Sequence, residues 1–348
     1  MINTELLAEI CEVSGAPGHE QKVREIVLRE IKDLVDEINI DNLGNLVAIK
    51  RGNKSKKVMI GAHMDEIGFI VTHIDDSGFV YFHTLGGFDP KTLTAQIVII
   101  HGSEDVIGVM GGKPIHLMNT ADRAKVPTIK DYFIDTGRPK KELDKIISIG
   151  DTITRSSKFI EMGDCFNCKS LDNRVSVFIL IEMFREMTNT PPYDVYGVFT
   201  VQEEIGIRGA NVSSMDINPD FGFGLDTTIA WDTPGSTKQE QVSALGDGAC
   251  IKIMDSSTVC DYRMVRYMKD LSKNKKIKTQ LEILPAGGTD TAGIQRMNPG
   301  GCIAGAVSIP TRHIHQVIEM VHKDDVRGAI DLLRHGVENL HTYDWTFK

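Results

Sequence analysis

Apolar residues recur first at helical and then at strand-like spacing along the first part of the chain. Residues 19–38 place apolar side chains three and four positions apart, and they predict an amphipathic helix with one apolar face formed by Val23, Ile26, Val27, Ile31, Leu34 and Val35. Residues 38–52 then predict a β-hairpin, and the apolar run at 58–65 predicts a strand that ends in polar residues.

The pattern changes at about residue 69. Short β-rich runs separated by Gly, Asp and Ser continue from there, and they predict no long helix before about residue 164. From residue 172 onward, predicted helices and strands alternate: a helix at 172–187, strands at 194–202 and 220–226, a helix at Tyr262–Ser272 and a final amphipathic helix at 322–340.

This order of elements predicts an α/β fold. Strands that alternate with helices indicate a mostly parallel or mixed sheet sandwiched between helices. The β-rich middle indicates a small β-barrel inserted into that fold. We therefore expect a discontinuous α/β domain made of residues 1–68 and 164–348, interrupted by a barrel made of residues 69–163.

The composition argues against several classes of protein. The chain has 348 residues, of which 41% are hydrophobic and 25% charged, as in ordinary globular proteins. Its formal net charge of -9 argues against nucleic-acid binding, which needs a basic face. The longest apolar run, 177–184, is interrupted by Glu182, and no basic region precedes an apolar core near the start. We expect a cytoplasmic protein without a leader or a membrane span.

The six cysteines are scattered, which fits reduced thiols in a large chain better than a disulfide framework. Cys165 and Cys168 form a CxxC pair, but no second pair completes a zinc knuckle. We interpret this pair as chance or as a minor structural feature.

Residues that are able to bind a metal ion collect where predicted strands end. In an open α/β sheet, the carboxyl ends of the strands form the ligand-binding edge. The candidates at these ends, together with one aspartate at the start of a helix, are His63, Asp65, Glu203, Glu204, Asp226, His313, His315 and Asp172.

Each candidate also has a simpler interpretation. A single histidine is more often hydrogen-bonded within a structure than bound to metal, and Asp172 alone would serve as a helix cap. The whole set favours metal ions, because imidazoles and carboxylates gathered at one edge are costly to desolvate without cations. A ligand set without thiolates favours Zn²⁺, Co²⁺ or Mn²⁺. Asp172 is our choice for a shared ligand, since a carboxylate can bridge two ions and an imidazole cannot.

The adjacent acids Glu203 and Glu204 require a particular backbone. Neighbouring side chains on a strand point to opposite faces, so two acids at one site require the chain to turn there. Glycines at 206 and 209 would permit that turn. His63 and Asp65, by contrast, lie on one side of an extended segment, so Asp65 can support the site from behind.

Several segments, taken in order, resemble the M42 family of metallo-aminopeptidases, which includes the tetrahedral aminopeptidases and proteins known as glutamyl aminopeptidase or endoglucanase M. The segments cover essentially the whole chain and are HMDEIGF (63–69), SLDNR (170–174), VQEEIGIRGA (201–210), GLDTT (224–228), GGTDTAG (287–293) and IPTRHIH (309–315). The resemblance implies a catalytic domain interrupted by a barrel-like insertion. Members commonly assemble through this insertion into dimers and then into twelve-subunit shells, which makes residues 69–163 an expected oligomerisation domain.

The resemblance also implies a pair of metal sites. His63 and Asp226 would hold one ion. Glu204 and His315 would hold the other, and Asp172 would bridge the two. The ions would be Zn²⁺ or Co²⁺, with Mn²⁺ as a further choice.

The same resemblance implies roles in catalysis. Glu203 would be the general base that takes a proton from the bridging water, and Asp65 would support catalysis beside the first histidine. Gly288 and Asp290 are candidates for the substrate pocket, although the loop that carries them has a local change from the family pattern. The family often has tyrosine where this chain has His313.

We expect an enzyme that hydrolyses N-terminal residues from peptides. One alternative is a glycoside hydrolase, which needs two carboxylates and no metal, although the chain has only two tryptophans for stacking on sugars. Another metal-dependent amide hydrolase, such as a deacylase, would share the metal centre. A binding protein without catalysis would be expected to lack ligands, and all the expected ligands are present.

Overall fold

The chain folds into a large mixed sheet with covering helices and a closed barrel, and its computed structural model describes residues 2–347. The strands are Glu37–Ile40 (β1), Leu46–Lys50 (β2), Lys54–His63 (β3), Gly68–Ile74 (β4), Val80–Leu85 (β5), Ile97–His101 (β6), Asp105–Gly112 (β7), Tyr132–Asp135 (β8), Thr152–Arg155 (β9), Ile160–Met162 (β10), Cys165–Cys168 (β11), Tyr193–Thr200 (β12), Phe221–Ile229 (β13), Ala249–Met254 (β14), Thr279–Ile283 (β15), Ile303–Arg312 (β16) and Glu319–His322 (β17). The helices are Thr4–Glu12 (α1), Gln21–Ile31 (α2), Thr120–Ala124 (α3), Lys140–Leu143 (α4), Leu171–Glu186 (α5), Arg208–Ile217 (α6), Tyr262–Lys275 (α7), Asp290–Arg296 (α8) and Lys323–Asn339 (α9).

The large sheet has a parallel centre and antiparallel flanks. Its strand order is β1-β2-β12-β3-β13-β16-β17-β11-β10, with β14 and β15 attached through β16. The strands β12, β3, β13 and β16 run parallel to their neighbours in this central group. The predicted mixed sheet with helices and an inserted barrel is therefore confirmed.

Helices cover both faces of the sheet. The helix α5 packs against α1, α2 and α9 on one side and against β3 and β13 on the other, so nearly all its residues are buried. This burial on all sides explains the long apolar run in its sequence. On the opposite face, α8 packs directly on β13, where Gly224 leaves no room for a side chain: a Cβ there would lie 1.9 Å from Thr291 Oγ1. Within residues 2–347, no helix is long and apolar enough to cross a membrane.

The helix predicted at 19–38 is shorter in the structure. It ends at Ile31, and the backbone N–H of Asp36 already donates to the carbonyl of Ile49 at 2.8 Å in the hairpin. Leu34 and Val35 still pack against the core, but they do so from the turn. The predicted hairpin at 38–52 is confirmed by the antiparallel pairing of β1 and β2.

The barrel is closed by the strands β4, β5, β8, β7, β6 and β9 in that order. Its core includes Phe69, Val98, Ile100 and Ile134, which are all buried. The strand β10 follows the barrel and pairs with β11 in the large sheet. The division of the chain into domains at 68/69 and 163/164 stays a prediction.

Candidate metal centre

The predicted ligands meet in one cavity at the carboxyl edge of the parallel strands. His63 is the last residue of β3, Asp226 lies in the second half of β13, and Glu204 follows the end of β12. Asp172 lies at the start of α5, and His315 lies in the loop after β16. All of them line a cavity of about 760 Å³. Parallel neighbours end at the same edge, and this brings residues from distant parts of the chain together.

The carboxylate of Asp172 lies between two histidines. Its Oδ1 is 3.5 Å from His63 Nε2, and its Oδ2 is 3.5 Å from His315 Nε2. On the first side, Asp226 Oδ1 is 3.7 Å from His63 Nε2. On the second side, Glu204 Oε2 is 3.5 Å from His315 Nε2. Each oxygen of Asp172 thus faces its own group of ligand atoms.

These separations fit coordination better than hydrogen bonding. Hydrogen bonds between nitrogen and oxygen are about 2.7–3.2 Å long. Two ligand atoms that each lie about 2.0–2.2 Å from a tetrahedral metal ion are about 3.3–3.6 Å apart. His63, Asp172 and Glu204 offer ligand atoms that all lie within 4.8 Å of one another. The buried Glu204 Oε1 also has no hydrogen-bond partner among the described residues. The residues therefore fit a divalent cation.

Burial in the cavity shifts the pKa values of several candidate ligands and of Glu203. Burial raises the pKa of Glu203 well above its usual range and raises the pKa of Glu204 to about 8, with neighbouring acids adding to both. Burial also raises the pKa of Asp226. Burial opposes a charge on His63, but the nearby carboxylates of Asp172, Asp226 and Asp65 hold its pKa well above the usual value. Cations in the cavity would favour the charged carboxylates and lower these pKa values again.

Asp65 holds the first histidine and the glutamate loop together. His63 Nδ1 lies 3.1 Å from the backbone carbonyl of Asp65 and 3.4 Å from its Oδ1. A proton on Nδ1 leaves the Nε2 lone pair facing the cavity, as a metal ligand requires. The two carboxylate oxygens of Asp65 accept the backbone N–H groups of Glu203 and Glu204 at 3.0 and 3.1 Å. Asp65 is fully buried behind the cavity, so its place in the structure is that of a support.

The backbone turns at the paired glutamates. Gln202 has a φ of 56°, and the N–H groups of Gly206 and Ile207 both donate to the carbonyl of Glu203. Gly206 has a φ of 125°, which only glycine adopts readily. Both glutamates consequently line the cavity, and Glu203 Oε2 lies 3.9 Å from His63 Nε2 while Glu204 faces the other histidine.

The remaining candidates lie in different places. His313 lines the cavity and is exposed. The histidine that lies near Asp172 is His315, whose Nε2 is 3.5 Å from Asp172 Oδ2. Gly288 lines the cavity wall. Asp290 does not line it: its side chain is buried and accepts a hydrogen bond from Thr200 Oγ1.

Cys165 and Cys168 lie on the same strand three positions apart, so their side chains point to opposite faces and would not bind one ion together. Both are free thiols.

Two buried residues near the site were not predicted. Glu319 accepts backbone hydrogen bonds from Asp172 and His315, both at 2.9 Å. Arg155, from the barrel, donates to the carbonyl of His315 at 2.8 Å. Neither residue belongs to a motif of metal ligands, and neither bonds to a ligand side chain, so nothing in the local sequence distinguishes them.

Comparison with known proteins identifies the class of enzyme as an aminopeptidase-type hydrolase. A solved aminopeptidase, APDkam598 from the archaeon Desulfurococcus kamchatkensis, matches the structure with a TM-score of 0.92 and 35% identity, covering 96% of this chain and 94% of that one. The chain belongs to the M42 glutamyl aminopeptidase family, whose sequence profile matches residues 44–332. The family resemblance inferred from the motifs is confirmed, and the protein is a peptidase.

Two other relatives cover nearly the full length. The lysyl aminopeptidase of Pyrococcus furiosus is 32% identical, over 99% of this chain and 100% of the relative. The TET1 peptidase of Pyrococcus horikoshii, which can assemble into a tetrahedron or a large octahedral shell, has a TM-score of 0.87 at 28% identity and covers 97% of this chain and 99% of that one.

Proposed function

We propose that the chain is a dinuclear-metal aminopeptidase that removes N-terminal residues from peptides. The observation that carries this proposal is the position of the Asp172 carboxylate, whose two oxygens each lie 3.5 Å from a different histidine. His63 and Asp226 would hold one ion, Glu204 and His315 the other, and Asp172 both. Zn²⁺ or Co²⁺ suits this set of nitrogen and oxygen donors, and Mn²⁺ is a further candidate.

Two divalent cations, when bound, would lower the pKa of a shared water and polarise the scissile carbonyl. Glu203 is our candidate for the general base, because it lines the cavity and burial makes its carboxylate a stronger proton acceptor. It would take the proton of the attacking water and pass it to the leaving amine. Asp65 would act indirectly, by fixing His63 and the backbone of both glutamates.

The cavity also offers a place for the N-terminal residue of a peptide. Beyond the candidate ligands, its wall includes Ile229, Trp231, Leu284 and Gly288. A substrate side chain would lie against this wall, while acids at the centre would neutralise the free α-amine. This arrangement favours an exopeptidase.

A panel of aminoacyl anilides, assayed with Zn²⁺, Co²⁺ and Mn²⁺ and after chelation, tests the proposal. We expect anilide hydrolysis that disappears with the metal and returns when it is added back. A parallel assay on carboxymethyl-cellulose tests the glycoside hydrolase, whose chemistry needs no metal, so chelator-resistant cleavage of cellulose would contradict the proposal. Hydrolysis of N-acyl amino acids without anilide hydrolysis would identify a deacylase instead.

We further propose that copies of the chain assemble through the barrel into dimers and then a dodecamer. Ile97 and Val109 are paired across β6 and β7, and Ile107 lies two positions along the same face. Their exposed fractions are 52%, 49% and 68%. A contiguous apolar patch of this kind is typical of an interface. A cytoplasmic location stays a prediction, which the free cysteines support.

A further inference from the structure

Glu319 holds the backbone at two of the proposed metal ligands. It is the first residue of β17, and its exposed fraction is 1%. One carboxylate oxygen accepts the N–H of Asp172 at 2.9 Å, and the other accepts the N–H of His315 at 2.9 Å. A single side chain therefore sets the distance between the bridging aspartate and the second histidine.

Arg155 holds the same histidine from the barrel. It is the last residue of β9, its exposed fraction is 2%, and its Nη1 donates to the carbonyl of His315 at 2.8 Å. The guanidinium carbon lies 5.2 Å from the ring centroid of Phe88, within the range of a cation–π contact. The peptide groups on both sides of His315 are thus held, one by the large sheet and one by the barrel.

The loop at this position needs such support. His313 and His315 have φ values of 61° and 65°, a left-handed conformation that residues other than glycine adopt only where the surroundings hold it. The side chain of His315 is 36% exposed, against 1% for His63. Because packing holds its imidazole less firmly, the position of His315 depends more on its backbone.

We infer that Glu319 and Arg155 are positioning residues of the metal centre, and that the inserted barrel takes part in building that centre through Arg155. This inference rests on the proposed metal-dependent function. The hydrogen bonds from these two residues to the ligands go to backbone atoms, so their effect is on where Asp172 and His315 lie. Loss of either residue would lower the affinity for the ion at His315 more than the affinity for the ion at His63.

Titration of the metal-stripped full chain with Zn²⁺ or Co²⁺ tests the inference without any substrate. In Glu319→Gln, one of the two backbone N–H groups faces an amide NH₂, and in Arg155→Met the carbonyl of His315 loses its donor. We expect the dissociation constant of the weaker-bound ion to rise about 10- to 100-fold in each variant, as for other residues that orient metal ligands. Saturating metal restores kcat, because the chemical groups remain.

Two matched controls separate positioning from general stability. Asp325 is also a fully buried carboxylate that accepts two backbone N–H groups, from Gly246 and Gly248 at 2.7 Å each. Asp325→Asn should lower the melting temperature and leave the metal affinity unchanged. Arg138→Met removes a barrel arginine that pairs with Glu104 on the surface, and it should change neither.

Metal affinities of Glu319→Gln and Arg155→Met that equal those of the controls would overturn the inference, even if both variants melt earlier. If Glu319→Gln does not fold, the metal affinities of Arg155→Met and Arg155→Lys test the inference instead. An unmodified chain that binds no metal would overturn the proposed function and this inference with it. Metal binding by the unmodified chain without peptidase activity would contradict the proposed function alone.

Discussion

The carboxyl edge of the large sheet and the outer face of the barrel break the usual distribution of residues in opposite ways. At the edge, His63 is buried together with Asp65, Asp172 and Asp226, and Glu204 Oε1 has no partner among the described residues. On the barrel, Ile97 and Ile107 are exposed to solvent. Buried charge and exposed apolar surface are both unfavourable in an isolated chain. We propose that cations complete the edge and that a second copy of the chain covers the barrel face.

The two departures differ in how strongly they constrain the molecule. An unpaired buried charge is costly, and burial accordingly raises the pKa values of Glu203 and Glu204. An exposed isoleucine is tolerated and affects mainly what the surface binds. Changes at the edge should accordingly alter catalysis and stability by large factors, whereas changes on the barrel face should alter assembly.

The largest effect is expected from Glu203→Gln. Removal of the proposed general base should lower kcat by about 10²–10⁴ and leave the metal content unchanged, since the amide keeps the shape and loses the proton acceptor. Steady-state kinetics on an aminoacyl anilide, with metal content by mass spectrometry, measures both.

The neighbouring variant Glu204→Gln serves as the comparison for that result, because it should lose metal as well as activity. If Glu203→Gln lost metal and Glu204→Gln kept it, the roles of the two glutamates would have to be exchanged.

Metal removal should destabilise the fold. At a metal concentration of 100 times the dissociation constant, binding to the folded state stabilises it by about 2.7 kcal/mol, and chelation removes this contribution. Thermal unfolding with and without chelator measures the difference. Asp172→Asn should make the melting temperature insensitive to chelator, and a chelator effect of the original size in that variant would show that the metal binds elsewhere.

A smaller loss is expected from Asp65→Asn. The amide oxygen can accept only one of the two N–H groups of Glu203 and Glu204, so the loop and His63 lose part of their support. We expect kcat/KM to fall about 10- to 100-fold, as for other groups that orient metal ligands. Asp75→Asn is a control in the barrel, where the carboxylate accepts the N–H groups of Ser77 and Phe79. Equal activity in the two variants would contradict a supporting role for Asp65.

The smallest effect on the folded chain is expected from Ile107→Lys. A charge at this exposed position should change the free energy of unfolding by only about 0.5 kcal/mol. It should nevertheless dissociate the assembly, which sedimentation velocity would detect. Ile40→Lys changes another isoleucine that is 53% exposed, at the end of the large sheet away from the barrel segment, and should leave the assembly intact. Unchanged assembly in Ile107→Lys would exclude this face as the contact.

Local patterns were enough to predict much of the fold. Helical spacing identified the helix at Lys323–Asn339, and alternating elements identified the mixed sheet with its inserted barrel. The helix at 19–38 was predicted too long, because apolar residues that pack from a turn continue the same spacing as those in the helix. The short helix Asp290–Arg296 was missed, since its packing depends on glycines in a distant strand.

The sequence was sufficient to predict which types of residue form the candidate site and at which strand ends they lie. A metal ligand acts through its own side chain, so its residue type is visible in the sequence. It was not sufficient for Glu319 and Arg155, whose hydrogen bonds to the backbone of Asp172 and His315 span up to 147 and 160 residues of the chain. Any buried acceptor or donor could make such bonds, so no residue pattern reveals them. The same holds for Asp290, whose motif placed it near the substrate but whose burial beside Thr200 became visible only when the strands were brought together.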